Sequence, residues 1–327
     1  MSNYLIGEGY IGGSSLRIDE ARFNGLVLSK KVIRLIWDIE ETFSLLANSF
    51  VEFEEYLMSV VIKFHYKQVG GQDAHRFFDD VRQNINLKLV AMLTASRIYE
   101  EQTHQRLLEL SGLVHKTIDM KPVFSKTFDE SLEYRVVYSL RNHALHNQLP
   151  VHKVTYNSTP LSETRDIRSN APIRIRETVN PRISVREFIE SKKLNAAVRQ
   201  EVEKLGYEYL DLKFFIRGFV AALEGCHEAA RVATQPYLDA ALDELRKAHH
   251  ELWEAKGAEP KSMVAVKLHD GRKEEDCDID YPHNSRLLEV RQLWTGLKWV
   301  QRGFVSSEIT KDKSTYPEEH PTIWIAK

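Results

Sequence analysis

The hydrophobic positions of the N-terminal half repeat with the period of an α-helix. Apolar residues recur at every third or fourth position from Leu26 to Phe64 and again from Phe77 to Leu110, which is the spacing of amphipathic helices. Two glycines and Asp73, a residue suited to cap a helix, separate these two runs. A third run covers residues 126–146, with an apolar residue at every fourth position: Phe128, Leu132, Val136, Leu140 and Ala144. The pattern predicts three or four long helices before residue 150, as a helical bundle requires.

The pattern changes after Pro150. Apolar and polar residues alternate between residues 150 and 193, and three further prolines interrupt the alternation. This pattern predicts short extended segments or a hairpin. The helical period returns from about Asn195 to Lys256 and closes the predicted bundle.

A second change of pattern begins at Gly257. Residues 263–268 alternate and lead into His269-Asp270-Gly271-Arg272, which is typical of a strand and a turn. Residues 286–302 then carry a last helical pattern. We therefore expect a mainly α protein in three parts: a flexible N-terminus at 1–15, a helical bundle at 16–256 that includes the extended insert 150–193, and a small α+β appendage at 257–327.

Composition excludes several classes of protein. The 327 residues carry a net charge of −2 and are 43% hydrophobic, which suffices for a core but lacks the global basic charge of a nucleic-acid coat protein. Cys226 and Cys277 lie far apart and outside any zinc-finger spacing, which favours a reducing compartment. Neither a leader pattern nor an apolar run of about 18 residues occurs. These features predict a cytoplasmic protein without a membrane span.

A polar cluster ends the third helical run. Arg141, Asn142, His143, His146 and Asn147 occur within seven positions, shortly before a proline that disfavours further helix. At about 100° per residue, Asn142 and His146 share a face, whereas Arg141 lies about 140° from His146. One straight helix would therefore not aim Arg141 and His146 at one point. A kink, an arginine stem that wraps round the helix, or a second copy of the helix opposite would bring them together.

The sequence Arg141-Asn142-His143-Ala144-Leu145-His146 resembles the Arg-x(4–6)-His signature of the HEPN superfamily, in which a polar residue often follows the arginine. HEPN domains are small all-α bundles. Many are metal-independent endoribonucleases of toxin–antitoxin, abortive-infection and CRISPR-associated systems, and others are only binding modules. The resemblance implies a HEPN-like bundle over about residues 30–240 that cleaves RNA without a metal or other cofactor. It also implies a homodimer with a composite active site and, as a further partner, an antitoxin or defence-system protein.

The residue chemistry of the cluster fits RNA cleavage. This reaction deprotonates a ribose 2′-OH, stabilises negative charge at phosphorus and protonates the leaving 5′-oxygen. His146 has the pKa range to transfer protons, and Arg141 offers a permanently charged planar group for a phosphate. Asn142, on the face of His146, would orient that histidine or contact the scissile phosphate. Arg141, His146 and Asn142 are therefore the candidate catalytic residues.

The insert that follows the cluster is net basic. Residues 150–193 contain nine Lys and Arg and five Asp and Glu, and a positive segment directly after the site would favour a polyanionic substrate. Arg174, Arg176 and Arg182 are the candidate RNA-binding residues. A solvated loop with scattered arginines is the alternative interpretation of the same charges.

Other interpretations of the cluster are compatible with the sequence. Arg141, His143 and His146 could be solvated cations that offset the helix dipole at its C-terminus. His143 and His146, three positions apart on a helix, could share a metal ion with His152, although no Asp or Glu lies between residues 134 and 162 to complete a hydrolytic site. A non-catalytic HEPN-like module that binds or regulates a partner is the alternative function.

Overall fold

Long helices and two small antiparallel sheets make up this protein. The structure is a computed structural model, and it describes residues 2–10, 12–67, 72–146, 148–160, 175–191 and 194–300. Its helical content confirms the expected mainly α class. The chain divides into two compact units. Unit 1 comprises Met1–Ser44, Ile98–Phe124 and Cys226–Thr295, and unit 2 comprises Leu45–Arg97, Ser125–Gly225 and Gly296–Lys327.

The elements follow the chain in a simple order. The first part contains β1 (Ser2–Gly7), β2 (Ser15–Ile18), α1 (Glu20–Lys67), α2 (Gln72–Val114), α3 (Lys121–Glu130) and α4 (Leu132–His146). The middle part contains β3 (Lys153–Pro160), β4 (Ile175–Ser184), α5 (Val185–Ile189), α6 (Ala196–Lys204) and β5 (Tyr209–Asp211). The last part contains α7 (Leu212–Lys256), β6 (Val264–His269), β7 (Arg272–Asp278), α8 (Tyr281–Ser285), α9 (Leu287–Val290) and a 3-10 helix (Thr295–Trp299).

The sheet of unit 1 corrects two expectations about the ends of the chain. Its strand order is β2-β1-β6-β7, and β1 pairs antiparallel with β6 so that Leu5 lies opposite Val266. Residues 2–7 are thus a strand with Ile6 fully buried, and the expectation of a flexible N-terminus at 1–15 is wrong for them. Because β6 and β7 share a sheet with β1, the described part of 257–327 is not a separate appendage. The pairing partners lie about 260 residues apart, beyond what local patterns indicate.

The turn between β6 and β7 has the predicted chemistry. Asp270 and Gly271 connect His269 to Arg272, and both have positive φ angles, +46° and +77°. Two-residue hairpins favour this conformation because its twist matches that of the strands, and Asp-Gly adopts it at low cost. The predicted strand and turn are therefore confirmed.

The last helical pattern of the sequence does not form one helix. Residues 286–302 were expected to be helical, but α9 ends at Val290 and Trp294 has a φ angle of +65°. A right-handed helix cannot continue through a residue in the left-handed region. The short helix α8 before it is capped by Asp280, whose carboxylate accepts the backbone N–H of His283.

The core of unit 1 contains a charged cluster. Glu40 is 2% exposed, and its carboxylate accepts hydrogen bonds from the guanidinium of Arg231, the shortest at 2.7 Å. It also lies 3.0 Å from Nε2 of His227, and the other ring nitrogen of His227 lies 3.2 Å from the hydroxyl of Tyr99. Arg291 donates to the backbone carbonyl of Arg231 at 2.5 Å. The cluster thus joins α1, α2, α7 and the residue after α9 inside this unit.

The protonation states in this cluster follow from its contacts. Burial opposes ionisation of Glu40, but the hydrogen bonds from His227 and Arg231, together with the positive charge of Arg231, outweigh it and lower the pKa of that carboxyl to about 2. Burial lowers the pKa of His227, so its imidazole is neutral at pH 7. The ring proton is then assigned to Nε2, which donates to Glu40, and Nδ1 accepts the hydroxyl proton of Tyr99.

Unit 2 contains the second sheet and the helix that carries the polar cluster. Its strand order is β3-β4-β5, all antiparallel, with Thr155 opposite Asn180. This pairing confirms the predicted hairpin in the insert 150–193. The helix predicted over 126–146 is instead divided between α3 and α4 at Ser131. The hydroxyl of Ser131 accepts the backbone N–H of Tyr134 at 3.1 Å, so a capping serine interrupts the apolar stripe.

Candidate active site at the end of α4

The buried face of α4 holds its last turns in place. Val136, Val137 and Leu140 are fully buried, whereas Arg141 and Asn142 are half-buried. The apolar stripe therefore turns inwards and leaves two of the three candidate catalytic residues partly accessible. This arrangement is what an amphipathic helix with a polar C-terminal turn produces.

Arg141 carries a charge that no described carboxylate neutralises. Its guanidinium carbon lies 5.5 Å from the centroid of the Tyr138 ring, a cation–π contact one turn earlier on α4. Its Nε is buried and has no hydrogen-bond partner in the part of the chain that the structure describes. Among the residues the structure describes, Arg141 forms no ion pair. An arginine that contacts a ring instead of a carboxylate keeps the N–H groups of its two terminal nitrogens available to an anion.

His146 is placed only by its backbone. It is the last residue of α4, but its side chain lies outside the described residues, as does all of Asn147. The helical positions of Arg141 and His146 differ by about 140°. That Arg141 and His146 converge only through a kink, a wrapped arginine stem or a second copy of the helix therefore stays a prediction.

His143 faces the interior instead of solvent. It is 1% exposed, and its ring centroid lies 5.8 Å from that of His152 and 6.0 Å from that of Phe188. Burial, with a smaller contribution from His152, lowers the pKa of His143, which favours a neutral imidazole. The interpretation of His143 as a solvated cation is thus wrong. Its register in the stripe, three residues after Leu140, could have indicated the burial.

His152 is held by hydrogen bonds of its own backbone and ring and by those of the preceding residue, Val151. Asn86 of α2 bonds to both the N–H and the carbonyl of Val151, at 2.9 and 3.3 Å. The N–H of His152 donates to the carbonyl of Arg182 at 3.1 Å. In return, the N–H of Ser184 donates to Nδ1 of His152, also at 3.1 Å. This last bond assigns the ring proton to Nε2.

Glu187 completes this group of residues, and sequence reasoning missed it. Its Oε2 lies 3.3 Å from Nε2 of His152, and the side chain of Gln148 donates to the same oxygen. Burial lowers the pKa of His152, while the charge of Glu187 raises it. Ser184 caps α5 by accepting the N–H of Glu187 and so sets the position of this carboxylate. Only the pairing of β4 with residues 152–153 brings Glu187 close to His152, and the local sequence spacing does not indicate it.

The structure describes only part of the three candidate RNA-binding arginines. Arg174 lies outside the described residues, and so does the side chain of Arg176, although its backbone belongs to β4. Arg182 is half-buried in β4, opposite Lys153 of β3 and Asp211 of β5. Arg182 thus adjoins the site through its own backbone contact with His152, while the role of all three as RNA contacts stays a prediction.

The rest of the described chain adds two findings. Within these residues, no group of three or more His, Cys, Asp or Glu side chains is arranged to hold a metal ion. No helix in the same ranges is both long enough and apolar enough to cross a membrane.

Comparisons of this chain with protein-family models, with curated proteins and with solved structures found no match. The residues at the end of α4 are therefore interpreted from their own geometry and chemistry.

Proposed function

We propose that this protein is a metal-independent endoribonuclease whose catalytic residues are Arg141 and His146, with Asn142 beside them. One observation carries the proposal. Arg141, on the half-buried terminal turns of α4, has no ion-pair partner among the described residues and stacks on Tyr138, five positions before a histidine at the helix end. A purely structural arginine at this place would be expected to pair with a carboxylate or with helix carbonyls.

The proposed roles follow from the chemistry of each group. Arg141 binds the scissile phosphate and stabilises the negative charge that develops on it. His146 transfers a proton to or from the ribose 2′-OH or the leaving 5′-oxygen. Asn142 orients His146 or contacts the phosphate. The products expected from attack by the 2′-OH carry 2′,3′-cyclic phosphate ends.

His143, His152 and Glu187 act in this proposal as positioning residues. His143 is buried and His152 is packed against it, so neither is presented to a polymeric substrate. The two rings tie the last turn of α4 to residues 151–152, which Asn86 and β4 hold in place. This support fixes the direction in which α4 presents Arg141.

The angle between Arg141 and His146 supports a composite site. The two residues point about 140° apart on one straight helix, so each arginine would meet the histidine of a second copy. We therefore include a homodimer in the proposal, with RNA as the substrate.

The decisive experiment measures cleavage of total RNA in excess EDTA by purified full-length protein. Arg141→Ala and His146→Ala should each reduce the cleavage rate about 100-fold or more, since each removes one transition-state contact. Arg186→Ala is the matched control, because the Arg186 side chain is 86% exposed on α5 and has no proposed role. RNA that both catalytic variants cleave at the wild-type rate would disprove the assignment. RNA that is bound but never cleaved would favour a non-catalytic binding module.

Mixing the two inactive variants tests the composite site. A heterodimer of Arg141→Ala and His146→Ala subunits retains one intact Arg–His pair if the residues come from different copies, and none if they come from the same copy. Recovered cleavage after mixing therefore supports the composite arrangement. Continued inactivity of a mixture shown to exchange subunits would contradict it.

A further inference from the structure

An open cleft in unit 1 lies between the C-terminal part of α7 and α8. Its volume is about 760 Å³, within the range of about 300–1,000 Å³ common for small-molecule sites. Trp253 and His249 of α7 and Tyr281 of α8 line it, and Arg246 and Lys247 stand at the same wall. None of these residues takes part in the proposed ribonuclease site, so the inference that follows does not rest on that proposal.

His249 supplies the first indication of a ligand. The residue is only 7% exposed, and its buried Nδ1 has no hydrogen-bond partner within the described chain. Aromatic contacts fix the ring, with centroids 6.1 Å from Trp253 and 6.2 Å from Tyr281. A buried polar atom that lacks a partner is costly and uncommon. Because His249 lines the cleft, a bound group with a polar edge would satisfy it.

Trp253 supplies the second indication. This large aromatic residue is 43% exposed and lies on α7 near the charged residues Glu251 and Glu254. The ring planes of Trp253 and His249 lie at 88° to each other, so the two rings are not stacked face to face. An accessible indole face stacks planar rings.

The charges at the wall favour an anionic group on the ligand. Arg246 and Lys247 both pair with the single carboxylate of Asp243, and Nζ of Lys247 lies 2.8 Å from it. These bonds lower the pKa of Asp243, so this carboxylate is ionised and is shared by the two cations. Glu259, the other carboxylate of the lining, forms no ion pair with Arg246 or Lys247 among the described residues. Both cationic side chains are more than half exposed and can turn towards a phosphate.

We propose that the cleft binds a planar nitrogen heterocycle that carries a phosphate group, with a purine nucleoside monophosphate as the fitting example. The heterocycle stacks on Trp253 and directs its polar edge to Nδ1 of His249. The phosphate contacts Arg246 and Lys247. Glu259, which also lines the cleft, accepts a ribose hydroxyl, a common role for a carboxylate in nucleotide sites.

Titration calorimetry of the full chain with adenosine 5′-monophosphate (AMP), adenosine and inorganic phosphate tests the proposal. AMP should bind, and the affinities for adenosine and for inorganic phosphate should each be lower by a factor of about ten or more. Trp253→Ala should weaken AMP binding about tenfold or more, because it removes the stacking face. Trp299→Ala is the matched control, since Trp299 is exposed to a similar extent, 41%, and lies outside the cleft.

Two further variants locate the contacts. Arg246→Ala should reduce the affinity for AMP towards that for adenosine, whereas Arg186→Ala, another exposed arginine paired with an acid on its own helix, should not. His249→Phe should weaken binding of AMP and of adenosine alike. If circular dichroism shows that His249→Phe does not fold, the exposed Trp253 and Arg246 variants decide the question.

Several outcomes would overturn the proposal. These are the absence of AMP binding at millimolar concentration, equal affinity for AMP in wild type and Trp253→Ala, or inorganic phosphate bound as tightly as AMP. The Arg141→Ala variant separates this site from the ribonuclease site. AMP binding that persists in Arg141→Ala supports the cleft, and AMP binding that disappears there assigns the ligand to α4 instead.

Discussion

Two pairs of a histidine and a glutamate, one in each unit, show how differently the same residue types can be used. In unit 1, Nε2 of His227 lies 3.0 Å from Glu40, and both side chains are at most 2% exposed. In unit 2, Nε2 of His152 lies 3.3 Å from Glu187, and the exposed fractions are 9% and 43%. The distances are similar, but only the second pair reaches solvent.

The surroundings of each pair explain what it can do. Arg231 and Tyr99 complete the hydrogen bonds of the Glu40 and His227 side chains, so the unit 1 pair is sealed by protein groups on all sides. Such a cluster fixes the packing of helices, and removal of one partner leaves a buried charge unpaired. The pair in unit 2 packs through His152 against His143 of α4, the helix that carries Arg141, and Arg141 forms no ion pair with any described residue. In this protein the sealed pair lies in the packed core of unit 1, whereas the open pair supports the helix end of the proposed site.

The largest expected effect is the loss of stability when the sealed pair is broken. Glu40→Gln removes the negative charge that faces Arg231 and His227, and it should lower the free energy of unfolding by about 3–5 kcal/mol. Urea denaturation followed by circular dichroism measures this change. The control is Glu41→Gln, because the adjacent Glu41 is exposed and should change stability by less than about 1 kcal/mol. Equal effects of the two substitutions would show that the Glu40 cluster is not structurally important.

The Glu40 cluster should also make the stability of the protein depend on pH. The folded-state pKa of Glu40, about 2, lies below its ordinary value of 4.5, so the unfolded chain takes up the proton first as the pH falls. The stability contributed by ionised Glu40 is therefore present above pH 4.5 and is lost as the pH falls through about 2, in total about 3 kcal/mol.

Denaturation of wild type and Glu40→Gln at several pH values checks this dependence. The difference in unfolding free energy between them should be largest at neutral pH and should shrink as the pH drops below about 4.5. A difference that stays constant down to about pH 3 would contradict the low pKa. Glu41→Gln, measured in parallel, should show no such convergence.

The sequence predicted the long helices well because their apolar residues repeat without interruption. The ends of helices inside such a pattern were harder to predict. Ser131 caps a new helix within an apolar stripe, and Trp294 adopts a left-handed conformation that nothing in its neighbourhood indicates. The strand pairing of β1 with β6 depends on residues about 260 positions apart, so no local pattern could reveal it.

The residues of the candidate site likewise fall into those that the sequence indicated and one that it did not. Arg141 and Asn142 were identifiable because a polar run follows an apolar stripe and precedes a proline. Glu187 was not, because it reaches His152 through the pairing of β4 with residues 152–153 and through the cap at Ser184. Residues that one helix presents can be inferred from periodicity, whereas those that a tertiary contact supplies cannot.

The smallest expected effect concerns the open pair. Glu187→Gln should change the free energy of unfolding by at most about 1 kcal/mol, since Glu187 is 43% exposed and solvent screens its charge. It should nevertheless lower the pKa of His152 further, because Glu187 is the neighbour that raises it. Proton NMR titration of the histidine rings measures this shift, and Glu190→Gln, an exposed acid on the same segment, is the control. If Glu187→Gln left the titration of His152 unchanged but destabilised the protein as strongly as Glu40→Gln, the contrast between the open and the sealed pair would fail.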